Sequence, residues 1–413
     1  MTEKKDIKCS FCGAPAKSVN SMITGPGVYI CNECVDTCTE IIHGDESDAP
    51  GKKGGDKATV PDYKKLPTPM EMKVHLDHYI VGQEEAKKGI SVAAYNHYKR
   101  IYSRMDQGEV ELEKSNVLLL GPTGTGKTLI AKTLASMLEV PFTIVDATVF
   151  TEAGYVGEDV ENILARLLSA ADGDTEKAQR GIIYIDEFDK IGRKSANPSI
   201  TRDVSGEGVQ QSLLKIIEGT QAQIAPKGGR KHPEQKLTEI DTTDILFICG
   251  GAFVGLDEVI EKRTSRGGMG FNREVVEENS KNEDTLLQLC EPEDIIHYGI
   301  IPELIGRIPV LFALTHLDKD MMMRILKEPK NSLLKQYEKL FEMDNCTLIF
   351  EPAALDRIVS IAEEKKTGAR GLRNVLESAI TPIMYELPSK KDIREVIITE
   401  KVIEKKGKPV YKK

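Results

Sequence analysis

Short apolar runs recur through the middle of the chain at Val117–Leu120, 142–145, 182–185 and 245–249, with longer amphipathic stretches between them. Such runs predict strands buried on both faces, and 3-4 spacing between them predicts helices, so the alternation predicts a parallel α/β sheet. The helix after the first run carries Leu129, Ile130, Leu134, Met137 and Leu138 on one side. Residues 318–390 are mostly helical in pattern, with Leu372, Val375, Leu376, Ala379 and Ile380 along one apolar face. From His43 to about Leu66 large apolar residues thin out in favour of Gly, Asp, Lys and Pro, the composition of a flexible linker. Lys401, Lys405, Lys406, Lys408, Lys412 and Lys413 crowd the end of the chain, which reads as a solvated polar tail. The expected division is a small module at 1–43, a linker at 44–66, a large α/β domain at 67–317, and a smaller, mainly helical domain with the tail at 318–413.

Composition narrows the function. The 413 residues are 40% hydrophobic and 29% charged, enough for several domains with real cores. A net charge of −9 argues against general nucleic-acid binding. The opening MTEKKDIK has no apolar signal region, and no stretch approaches the roughly 18 to 20 apolar residues of a membrane span, so a cytoplasmic location is expected.

The cysteines are concentrated at the start. Of the 8, Cys9, Cys12, Cys31 and Cys34 form C-x2-C, a gap of 18 residues, and C-x2-C, the spacing of a four-thiolate structural zinc site. Each pair can form a knuckle presenting two sulfurs to one ion, and Gly25-Pro26-Gly27 supplies a turn between them. A redox role for either pair is the alternative. A module this short cannot build a sufficient apolar core, so zinc is expected to supply much of its folding free energy, about 10 to 16 kcal/mol in finger peptides. Cys38, Cys249, Cys290 and Cys346 read as thiols without a metal role, and His43 is a weak candidate because four cysteines already close the site.

Residues 121–128 read GPTGTGKT. In such a loop Gly121, Gly124 and Gly126 let backbone N–H groups turn inward around phosphates, with Pro122, Thr123 and Thr125 completing the cradle. Lys127 brings a point charge near the β and γ oxygens, Thr128 offers a hydroxyl to Mg²⁺, and Leu129 continues into a helix whose N-terminus favours anions. The later strand IIYIDE delivers Asp186 and Glu187 at its C-terminal end, where ligands of open α/β sheets bind. Asp186 would hold Mg²⁺ through water and Glu187 would polarise the attacking water. The pair of motifs implies an ATPase.

These motifs, with AGYVGED at 153–159, DVSGEGVQQ at 203–211, IPELIGR at 301–307 and GARGLR at 368–373, resemble the AAA+ ATPases over nearly the whole chain. Within that family the resemblance is to zinc-bearing unfoldases that feed a separate peptidase. It implies a homohexameric ring using ATP and Mg²⁺, with Zn²⁺ in an N-terminal module that binds substrates and adaptor proteins and is a candidate dimer. Arg307 would be the arginine finger reaching a neighbouring subunit's γ-phosphate, with a helical pair to Glu303 as the alternative. Arg370 would be the sensor-2 residue linking bound nucleotide to the angle between domains. Val81, within Tyr79-Ile80-Val81-Gly82-Gln83, would pack on adenine. The strand at 245–249 takes the sensor-1 place, but no Asn or Thr at its end identifies the residue.

The resemblance also supplies loops that touch protein. Tyr155 and Val156 would line the ring's pore and grip a translocating polypeptide by non-specific apolar contact, with Arg202 in a second pore loop. Arg230, Lys231 and His232 would select substrates bearing degradation tags. Met269, Gly270 and Phe271 match the family's Ile-Gly-Phe loop, which docks on a ClpP-like peptidase ring, with Met replacing Ile. A nucleic-acid motor of the same class should carry basic pore loops instead. The related unfoldase HslU lacks the four-cysteine module and inserts a large domain after the magnesium strand. No protease constellation is evident, so peptide-bond cleavage would fall to the partner.

Overall fold

The structure is a computed structural model that describes residues 8–16, 19, 21–35, 66–103, 112–150, 159–192, 206–224, 237–266, 283–365, 367–390 and 392–413. The chain divides into two compact units, Met1–Val60 and Pro61–Lys413. In the first, β1 (Met22–Gly25) and β2 (Val28–Cys31) form an antiparallel hairpin in which Met22 faces Cys31 and Gly25 faces Val28. Pro26 presets its φ, and Gly27 accepts a φ of +78°, so the two-residue turn predicted at Gly25-Pro26-Gly27 closes here.

The second unit is built on a five-stranded parallel sheet with the order β4-β5-β8-β3-β9. Its strands are β3 (Val117–Leu120), β4 (Phe142–Asp146), β5 (Ile182–Asp186), β8 (Leu246–Gly251) and β9 (Val310–Ala313). Alternation along each strand divides the core between two faces. Leu118, Leu120, Ile183, Ile185, Phe247 and Cys249 face one layer, whereas Val117, Leu119, Ile182, Tyr184, Leu246 and Ile248 face the other. On the second face lie α1 (Glu84–Ser103), through Ile90, Ala94 and Tyr98, and α2 (Lys127–Leu138), through Ile130 and Leu134. On the first face lies α3 (Glu207–Glu218), through Val209, Leu213, Ile216 and Ile217. A small hairpin of β6 (Gln221–Ile224) and β7 (Thr238–Asp241) follows, and α4 (Pro302–Gly306) precedes β9.

A separate apolar core organises the C-terminal domain. Helices α5 (Lys319–Lys327), α6 (Pro352–Glu364) and α7 (Gly368–Glu386) pack on a sheet ordered β10 (Thr347–Phe350), β11 (Glu395–Ile398), β12 (Val410–Lys412). The predicted stripe Leu372, Val375, Leu376, Ala379 and Ile380 is buried along α7.

Two expectations need correction. Leu129 is 44% exposed and does not join Ile130 and Leu134 in the core, because one residue further along a helix is a rotation of about 100°. The C-terminal stretch is not a loose tail. Val402 and Ile403 are buried, and β12 pairs antiparallel with β11, Val410 opposite Ile397 and Tyr411 opposite Val396. The edge of β11 supplies backbone partners, and Lys412 pairs outward with Glu395 at 2.8 Å, so the lysine pattern marks one solvated side of a folded element.

Where α1 crosses β9 the layers touch with no room to spare. A methyl group at Gly89 would lie 2.0 Å from the ring of Phe312. Alanine favours a helix over glycine by about 1 kcal/mol, but overpacking typically costs about 1 to 3 kcal/mol. Gly89→Ala is therefore expected to lower stability, measured as an earlier midpoint in urea unfolding, although helix propensity alone predicts the opposite.

Candidate nucleotide site and zinc module

The turn from β3 into α2 places every residue of GPTGTGKT at the C-terminal edge of the sheet. Positive φ at Gly121, Gly124 and Gly126, of +134°, +84° and +105°, explains why glycine stands at each. A side chain at Gly121 would also meet the Leu314 carbonyl oxygen at 2.4 Å. Lys127 folds back over the loop, donating to Gly121 O at 2.6 Å and Pro122 O at 2.8 Å. Burial pushes its ammonium down to about 8, opposed by the nearby carboxylates of Asp186 and Asp189.

The neighbouring strands complete the site. Thr128 Oγ1 donates to Asp186 Oδ2 at 3.2 Å, bringing together two hard oxygen donors of the kind Mg²⁺ takes. Asp186 Oδ1 accepts from the Glu187 N–H at 3.0 Å and from the Tyr184 hydroxyl at 3.3 Å, fixing the carboxylate at the strand end. Glu187 adopts the left-handed region, φ +53°, which is unfavourable for a non-glycine residue, and lines a cavity of about 650 Å³. Gly124, Lys127, Thr128 and Asp186 line the same cavity.

The C-terminal domain closes one wall. Arg370 lines the cavity from the first turn of α7, and the Ala369 N–H donates to Gly124 O at 3.3 Å. Tyr79 also lines the cavity, whereas Val81 is buried at 7% exposure. Arg307 stands apart from this cavity. It caps α4, its side chain pairs with Glu218 and not with the Glu303 that helical spacing offered, and its carbonyl accepts from Asn116 Nδ2 at 2.8 Å.

β8 runs two residues past the predicted 249. Its Gly251 carbonyl accepts from Gly121 N–H at 3.3 Å, and the next amide, Ala252 N–H, donates to Asp189 Oδ1 at 3.1 Å. Asp189 also sits 2.9 Å from Lys190 Nζ and lines the cavity. Sequence reasoning passed over it, although a carboxylate three residues beyond Asp186 was a visible signal. Gln83 was missed as a contact residue as well. Its amide accepts from Thr315 N–H and donates to Thr315 O, both at 2.9 Å, a pairing that no local pattern announces.

In the first unit the four predicted sulfurs converge. Cys9, Cys12, Cys31 and Cys34 place Sγ atoms within 4.8 Å of one another, with Cys9 to Cys34 at 3.9 Å and Cys12 to Cys31 at 3.6 Å. A tetrahedral ion with Zn–S bonds of 2.3 Å requires sulfurs about 3.8 Å apart, so the set fits zinc. Cys9 Sγ also accepts the Cys31 N–H at 3.3 Å, a bond that favours thiolate.

Family models match three stretches: the ClpX C4-type zinc finger at residues 7–44, the AAA domain (Cdc48 subfamily) at 112–311, and the C-terminal, D2-small domain of ClpB protein at 317–401. A curated relative from Treponema denticola, the ATP-dependent Clp protease ATP-binding subunit ClpX, is 53% identical over 396 residues, covering 96% of this chain and 93% of the relative. The chain belongs to the ClpX family. It combines the ClpX zinc finger with the AAA+ parallel sheet domain and a helical C-terminal domain. Several ClpX-type candidates lie outside the described residues: Tyr155, Val156, Arg202, Arg230, Lys231, His232, Met269, Gly270 and Phe271, as do Cys38 and His43.

Cys31 is fully buried at the centre of the zinc module. Cys31→Ser is expected to lower bound zinc, measured by elemental analysis, and to collapse the dispersed NMR signals of the hairpin. Loss of zinc with the dispersed signals retained would show that the module does not depend on the ion.

Proposed function

We propose that this chain is the ATP-driven unfolding subunit of a two-part protease, working as a homohexamer that delivers unfolded polypeptide to a ClpP-like peptidase. The observation that carries the reading is the meeting of the phosphate loop with the C-terminal domain at Gly124 and Ala369, beside Arg370. A nucleotide held there touches both domains, so its occupancy sets the angle between them.

In this reading Gly121 to Leu129 cradle the phosphates and Val81 supports the base. Thr128 and Asp186 would hold Mg²⁺, which neutralises phosphate charge when bound. Glu187 orients the attacking water, Arg370 senses the nucleotide from α7, and Arg307 serves the site of the adjacent subunit. Tyr155 and Val156 grip substrate in the pore, Arg202 contributes from a second loop, and Arg230, Lys231 and His232 meet degradation tags. Met269, Gly270 and Phe271 dock on the peptidase. The zinc module, residues 1–43 on its linker 44–66, recruits substrates and adaptor proteins and pairs with a second copy. The motor spans 67–317 and 318–413, and the assembly works in the cytoplasm. Among the described residues no helix is long and apolar enough to cross a membrane.

ATP-dependent degradation of a tagged fluorescent protein tests the whole reading. Fluorescence loss with ATP alone is expected to report unfolding, and peptide release should require added peptidase. DNA-stimulated ATP turnover without loss of fluorescence would overturn it.

Two variants separate fuel from work. Glu187→Gln is expected to bind nucleotide at near wild-type affinity while turnover drops by about 10² or more, the scale of a lost general base. Tyr155→Ala should leave ATP turnover largely intact and slow unfolding of the tagged protein, read as more ATP consumed per molecule unfolded.

A further inference from the structure

Gln210 is completely buried on α3, and its side-chain amide is saturated by backbone from two other segments. Nε2 donates to Ile191 O at 2.8 Å and to Gly299 O at 3.2 Å, while Oε1 accepts from Ile301 N–H at 2.8 Å. Ile191 ends the 3-10 turn Phe188–Ile191 that begins directly after Glu187. Ile301 is the N-cap of α4, and Arg307 is its C-cap. One side chain therefore ties the turn behind the hydrolytic carboxylate to the short helix that carries the arginine.

The chemistry explains the residue. Two carbonyls and one amide need two donors and one acceptor on a single uncharged group, which among side chains only Asn and Gln supply. A glutamate would bring a buried charge, and an apolar residue would strand three backbone groups, each costly when buried.

The other end of α3 closes the loop. Its last residue, Glu218, pairs with the Arg307 side chain, about 18 Å along the helix from its start. Asn116 donates to Arg307 O at 2.8 Å and accepts from Phe247 N–H at 3.2 Å, which fastens the same residue to β8. Packing of Val209, Leu213, Leu304 and Ile305 in one core makes α3 and α4 a single block.

We propose that Gln210 is a positioning residue that couples the turn after Glu187 in one subunit to the placement of Arg307 offered to the next. A shift of Phe188–Ile191 during hydrolysis moves α3 and α4 together, so a subunit's own nucleotide state is passed to its neighbour through this amide. The inference rests on the reading of Arg307 as acting on the adjacent subunit's nucleotide.

Gln210→Met keeps side-chain length and removes all three hydrogen bonds. In full-length rings kcat is expected to fall by about 10²-fold, the scale of a misplacement near 1 Å, with equilibrium nucleotide binding little changed. The deciding measurement mixes this variant with Glu187→Gln. A Gln210→Met subunit retains Glu187 and would receive a correctly placed Arg307 from a Glu187→Gln neighbour, so mixed rings should hydrolyse ATP faster than either unmixed ring. Arg307→Ala mixed with Glu187→Gln is the control and should complement in the same way. Complementation by the control but not by Gln210→Met would overturn the proposal, because Gln210 would then act only within its own subunit or in folding. Failure of the control would overturn the trans reading of Arg307, and the proposal with it. Gln210→Asn keeps the amide but shortens its reach by one methylene, and gives the same comparison if the methionine variant does not assemble.

Discussion

At Gly124 the phosphate loop runs so close to the C-terminal domain that a single added methyl group would meet the Thr367 carbonyl oxygen at 2.9 Å. Across the contact, Gly368 takes a φ of +56° and leaves no more room, since a side chain there would lie 3.1 Å from the Thr123 carbonyl oxygen. Two backbones meet without side chains between them, so the loop and the start of α7 are in direct contact. The geometry of the cavity depends on this approach: Arg370 lines it because α7 starts at the loop.

The link to the C-terminal domain is held by a second pairing, of a side-chain amide with backbone. Gln83 is buried in the left-handed region at φ +58°, where its side-chain amide pairs with both backbone groups of Thr315, the residue after Leu314. Leu314 N–H in turn donates to Leu120 O at 2.8 Å, at the start of the phosphate loop. Next to Gln83, Gly82 lies against Met321 of α5. The segment beside Tyr79, the phosphate loop and the link to the C-terminal domain therefore share one set of hydrogen bonds.

Electrostatics at the site follow from burial. Lys127 is 8% exposed and pays for desolvation with a lowered pKa, while its ammonium is held by two loop carbonyls. The carboxylates of Asp186 and Asp189 partly offset this, and phosphate would do so more strongly. Asp189, with its side chain only 1% exposed, ties the end of β8, where the sequence offers no Asn or Thr, to the turn after Glu187. Here a carboxylate from β5's side reaches the backbone of β8.

Local patterning was enough for most of the chemistry. Each C-x2-C pair, GPTGTGKT and IIYIDE need residues adjacent in the chain, so their spacing carries the local geometry, and the continuous apolar runs carried the parallel sheet. Patterning misjudged Leu129, whose side of the helix depends on which face the sheet covers, and the C-terminal lysines, whose strand exists only because β11 leaves an open edge beside Val410 and Tyr411. Long-range pairings were illegible for the same reason: Gln83 with Thr315, Gln210 with Ile191 and Ile301, and Arg307 with Glu218 join residues far apart in sequence through backbone or exposed groups. The sequence by itself determined the phosphate loop and the two cysteine pairs, because each is a motif of a few consecutive residues. Only the tertiary structure decided which distant segments are tied together around the site, because that depends on buried amides meeting backbone that folding brings within about 3 Å.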